Sequence, residues 1–147
     1  MTREMQPPIR QPIGFWTVRA GEAIGRRTRA RLADVGVAQP EWWVLHQLSL
    51  HPAGLDDDTM IATVGPNAGD DAIVAAIASV IANGWVERRG DRLWSTSAGH
   101  DRFEVAAQVQ RELEAERRHG ISDDDYETTI RVLQRTIANV GGDAWHW

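Results

Sequence analysis

Arginine supplies all the lysine-or-arginine charge of this 147-residue chain: sixteen arginines and no lysine face twenty-one carboxylates. They are unevenly placed. Residues 1–31 hold seven arginines against Glu4 and Glu22, a local charge of +5, whereas residues 32–87 hold eight acids and no base. A second basic group follows at Arg88, Arg89 and Arg92. The net charge of −5 does not suit a nucleic-acid binder taken whole, but a local cluster of guanidinium groups can hold phosphates on an acidic protein. Among the five histidines, His46 and His51 fall on different faces of one helix, and His100 and His119 at opposite ends of another. With no cysteine in the chain, a four-ligand site would need distant carboxylates to converge, so no metal and no cofactor is expected. Asp56-Asp57-Asp58 lacks the spacing of a calcium loop and reads as helix-end charge. No nucleophile elbow, phosphate loop or paired-carboxylate motif is present, so no catalytic residue is assigned and the chain is not read as an enzyme.

The elements that must position these residues are mostly helical. Residues 1–12, with Pro7, Pro8 and Pro12, read as a flexible arm. Trp16, Ala20, Ile24, Thr28 and Leu32 recur every fourth residue, predicting a long first helix that ends near Gly36. Pro40 suits the first turn of a second helix with Trp42, Leu45 and Leu48 inward, up to the break at residues 51–54. Asp56 to Asp58 suit the positive end of a short third helix carrying Met60, Ile61 and Val64, closed by Gly65-Pro66. Ile73, Val74, Ile77, Val80 and Ile81 define a fourth, closed by Asn83-Gly84. Residues 85–88 and 93–95 then read as two strands around residues 89–92. Thr96 or Ser97 caps a fifth helix with Phe103, Ala106, Val109 and Leu113 inward. Ser122 and Asp125 make the capping pattern of a sixth, whose Tyr126, Ile130, Leu133, Ile137 and Val140 alternate four and three apart, a seam seeking another helix. The fold class is therefore mainly α with a small β-hairpin wing, in a single domain over residues 13–140. Its winged core spans about 38–96, its outer helices about 13–36 and 97–140, and a tail follows at 141–147.

Three helices and a hairpin form a winged helix-turn-helix, here bracketed by one helix before and two after. Three segments sharpen that order: Pro40-Glu41-Trp42-Trp43-Val44-Leu45, Asn83-Gly84-Trp85-Val86-Glu87-Arg88 and Thr96-Ser97-Ala98-Gly99. Together they resemble the MarR family of dimeric transcription factors, and Ile13-Gly14-Phe15-Trp16 and residues 121–133 look like a branch of it common in actinobacteria. The resemblance implies a homodimer held by the first, fifth and sixth helices, through Ile13, Trp16 and the seam from Tyr126 to Val140. It implies a fourth helix in the major groove of a palindromic operator and a wing in the minor groove. At the two positions where family members present arginine this chain has Ala75 and Ser79, preceded by Asp70 and Asp71. Base reading then falls to Asn67 and Ser79, with apolar contacts from Ala72 and Ala75 to thymine methyls, Asp71 facing phosphate, and Arg88, Arg89 and Arg92 on the wing.

The first-helix arginines read either as further phosphate contacts or as solvent-facing partners of glutamates. Of seven tryptophans, Trp42, Trp85 and Trp94 are assigned to the core. Trp16 and Trp43, with His46, fall where the resemblance places a pocket for a small aromatic effector. Trp145-His146-Trp147 either folds back onto a groove or frays. The expected activity is that of a ligand-responsive repressor. The alternative is a degenerate winged-helix dimer that binds protein or a small ligand and no longer reads DNA. No apolar run approaches the roughly 18 residues of a membrane span, and Met1-Thr2-Arg3-Glu4 lacks a signal core, so a cytoplasmic location is expected.

Overall fold

The computed structural model describes residues 3–146. Six helices run in the order α1 (Ile13–Ala33), α2 (Gln39–Leu50), α3 (Asp57–Val64), α4 (Asp70–Ala82), α5 (Ser97–Arg118) and α6 (Asp123–Asn139). Local chemistry fixes their ends. Asp56 accepts the Thr59 N–H before α3 at 2.8 Å, Thr96 the Gly99 N–H before α5, and Ser122 the Asp125 N–H before α6. Each occupies one of the amides that a helix start leaves without a partner. Gly84, at φ 74°, follows α4, a left-handed conformation that glycine adopts without a Cβ penalty. Among the described residues no helix is long and apolar enough to cross a membrane.

The sheet has three strands where two were expected. Besides β2 (Val86–Arg89) and β3 (Arg92–Ser95), the two residues of β1 (Leu55–Asp56) pair with β3, giving the antiparallel order β1-β3-β2. Arg89 faces Arg92, so the hairpin turn is the two residues Gly90 and Asp91 rather than four. β1 ties the start of α3 to the end of β3 next to the hairpin turn.

Two apolar clusters hold the molecule. The larger joins α2, α3, α4 and the sheet through residues such as Leu45, Met60, Val64, Ile73, Val80 and Leu93; the smaller joins α1 to α5 through Leu32, Val37, Ala106, Val109 and Leu113. Trp85 packs against both. Thr96 Oγ1 donates to the Gly84 carbonyl at 2.6 Å, and the Thr96 N–H to the Trp85 carbonyl at 3.0 Å. These bonds dock α5 on the wing. On the outer side of the smaller cluster, Arg31 reaches Glu112 at 2.6 Å and Arg27 reaches Glu116 at 3.2 Å. Those two first-helix arginines are therefore engaged by glutamates of α5.

Candidate nucleic-acid interface

Helix α4 buries Ile73, Ala76, Ile77 and Val80, the i, i+3, i+4, i+7 stripe of a helix packed on one side. Its other side is open, with Asp70, Asp71, Val74, Ala75 and Ala78 all exposed. The 3₁₀ turn Gly65–Asn67 leads into it, with Asn67 exposed. No arginine, lysine, asparagine or glutamine stands on that open side within α4.

A buried carboxylate fixes the angle at which α4 is presented. Glu41 on α2 is 8% exposed. One of its oxygens accepts the Ala38 N–H at 2.7 Å, and the other accepts the Ser79 hydroxyl at 2.7 Å and the Asn83 amide at 3.3 Å. Three hydrogen bonds compensate the burial of this carboxyl, which has no salt-bridge partner among the described residues. The Ser79 hydroxyl, expected to read a base, thus faces inward onto Glu41. Ala72 is half-buried, and Val74 and Ala78 stand beside Ala75 in its place.

The wing arginines are all held by the chain itself. Arg88 forms a two-pronged bond with Asp57, at 2.6 Å and 3.0 Å. Arg89 pairs with Glu87 and lies 5.2 Å from the centre of the Trp94 ring. Arg92 donates to the carbonyls of Ala53 and Gly54, both at 3.3 Å. Asp57, Arg88, Val74, Ile77, Ala78 and Ala82 line one groove of about 440 Å³, which puts the open side of α4 and strand β2 of the wing on the same face.

Helix pair, hairpin and flanking helices in this arrangement recur in solved structures. A Silicibacter pomeroyi MarR-family regulator matches 87% of this chain and 92% of its own at 18% identity, with a TM-score of 0.76. The chain has the fold of the MarR-family transcriptional regulators. CouR from Rhodococcus jostii RHA1, solved with p-coumaroyl-CoA, matches over 88% of this chain and 94% of its own at 20% identity and a TM-score of 0.73. A Mycobacterium tuberculosis MarR-family protein solved with DNA matches over 90% of this chain and 99% of its own, at 21% identity and 0.67. No family model matches the chain, and no curated protein does.

Within this MarR fold the residues expected around an effector are spread out. Trp16 lines an apolar cleft of about 400 Å³ between the start of α1 and α6, with Ile13, Ala20, Val132 and Leu133. Neither Trp43 nor His46 borders that cleft. Trp43 packs on the larger core cluster, while His46 stacks on Trp42, which stacks in turn on Phe103 of α5. The aromatic wall beside His46 is therefore Trp42 rather than Trp43. Burial, and secondarily the charge of His146, hold the His46 imidazole below its ordinary pKa, so it faces Trp42 in its neutral form at neutral pH.

The seam expected for association is open. α6 buries no residue, and α1 buries only Thr28 and Leu32. Ile13, Trp16, Tyr126, Ile130 and Ile137 are each about 40% exposed, Val140 is 80% exposed, and Leu133 is half-buried. Two residues that hold this face in place are not apparent from the sequence alone. Glu41 could have been found as an acid three residues after a helix start, a signal obscured by alanine at the capping position. Asp57 was read only as helix-end charge.

Proposed function

We propose that this chain is a homodimeric DNA-binding transcriptional regulator, acting as a repressor on a palindromic operator and relieved by a small aromatic effector. One observation carries it: α4 and the arginine-bearing hairpin share a face, with Arg88 bordering the same groove as Val74 and Ala78. A duplex laid on that face meets α4 in its major groove and the wing alongside. Asn67, Asp71 and Ala75 then stand nearest the bases, and Arg89 and Arg92 nearest the backbone. Support for the effector is the apolar cleft beside Trp16 and the neutral His46 stacked on Trp42. Quenching of tryptophan emission by aromatic acids is the assay for it.

A second reading, a winged-helix dimer that no longer reads DNA, is favoured by Asp70 and Asp71 on the first turn of α4 and by Asp57 on Arg88. Titrating labelled DNA from upstream of its own gene at several salt concentrations separates the two. A specific complex that weakens steeply with salt is expected. Equal and feeble binding to all duplexes at low salt would leave the second reading.

A further inference from the structure

Asp57 opens α3 and Arg88 stands on β2, 31 residues further on. The guanidinium places one nitrogen on each carboxylate oxygen, at 2.6 Å and 3.0 Å, the parallel fork that is the strongest arrangement for this pair. A phosphate offers the same two-oxygen edge and competes for the same nitrogens. The fork borders the groove along the open side of α4 with Val74, Ala78 and Ala82, and both side chains remain part exposed, Arg88 at 44% and Asp57 at 37%. The pair is thus accessible to exchange, and it lies where a duplex on α4 brings its backbone. Arg92 differs, since it donates to neutral carbonyls and has the Asp56 carboxylate near it without a fork between them.

We propose that Asp57 sets the DNA affinity of this protein by holding Arg88 in a carboxylate fork that withholds it from a backbone phosphate. This rests on the DNA-binding reading above. Asp57 is a built-in competitor: it lowers affinity for every duplex alike, and it keeps one cation out of the salt-dependent part of binding. Removing it adds a phosphate contact without altering the face of α4 that meets the bases.

The test uses the full chain and a labelled duplex of mixed sequence, titrated by fluorescence anisotropy from low to moderate salt. Four proteins are compared: the wild type, Asp57→Asn, Asp58→Asn as a control for the same loss of charge without a fork, and Asp57→Asn combined with Arg88→Gln. Asp57→Asn is expected to tighten binding about fivefold at low salt and to steepen the dependence of log K on log salt by about 0.9, the slope of one added phosphate contact. Asp58→Asn should gain less than about half of that and leave the slope unchanged. The gain should vanish in the double variant. If Asp57→Asn does not fold, Asp57→Ser replaces it.

An equal gain from Asp58→Asn, or a gain that survives Arg88→Gln, would show simple charge relief and overturn the proposal. So would wild-type binding with no gain from either Asp57 variant, in which case DNA binding itself still stands. Failure of all four proteins to bind any duplex overturns the DNA-binding reading and this one with it.

Discussion

His46 stands where the winged core meets α5, its ring 5.3 Å from that of Trp42, which stacks almost parallel on Phe103. Burial lowers its pKa below 6.5, and the nearby charge of His146 lowers it further. The unfolded chain therefore binds the proton more tightly than the folded one. Stability from this residue is whole above pH 6.5 and is lost as pH falls through the folded pKa, because the unfolded state takes up a proton that the folded state resists. We expect the urea midpoint to drop as pH is lowered from neutral into that window, and the drop to shrink in His46→Asn. The same pH slope in the variant would place its origin elsewhere. Asp56 acts in a different range. The amide and hydroxyl of Thr59 hold its carboxylate below the ordinary 3.8, so its contribution is present above that value and lost only in stronger acid.

At the scale of elements, much was legible because caps and stripes are local. Ser122 and Asp125 announced α6, Thr96 announced α5, and the buried stripe of α4 follows its apolar spacing. β1 was not legible, since two residues become a strand only when β3 lies beside them. α2 was half legible. It packs against both α4 and α5, so its apolar residues surround it: Val44, Leu45 and Leu48 are buried, Trp43 turns to the winged core and Trp42 to α5. A helix buried on two sides has no single stripe to read. The Glu41–Ser79 contact spans 38 residues, and no spacing rule reaches that far. Gly99 shows the reverse case, a short motif whose reason is tertiary. A Cβ there would lie 1.9 Å from the Trp85 carbonyl oxygen, which is backbone and cannot swing aside. Gly99→Ala should push α5 off the wing and cost about 3 kcal/mol, read as a lower midpoint in chemical denaturation. An unchanged midpoint would mean that close approach at Gly99 does not hold α5 to the wing.

At the scale of the whole molecule, the helices are unevenly covered. α2 to α5 bury their apolar faces against one another, whereas the first half of α1 and all of α6 present theirs outward. Ile13, Trp16, Ile24, Tyr126, Ile130, Val132 and Ile137 are each between 38% and 47% exposed, and exposed apolar residues of this size, where contiguous, mark an association surface. The start of α1 and the middle of α6 enclose the cleft beside Trp16, so one object can cover both. The proposed dimer supplies it by two-fold symmetry, in which the same stripe on a second copy serves as partner. Leu133 is the test position. It is half-buried and lines that cleft, and a carboxylate there would have to be dehydrated on association with no cation assigned to it. Leu133→Asp should weaken association by about 3 kcal/mol, a dissociation constant raised roughly 150-fold. Sedimentation equilibrium at micromolar concentration is the measurement, with wild type and Leu133→Met expected as dimers and Leu133→Asp as monomer. A wild-type chain that sediments as a monomer would remove the dimer, and with it the paired half-sites of the operator.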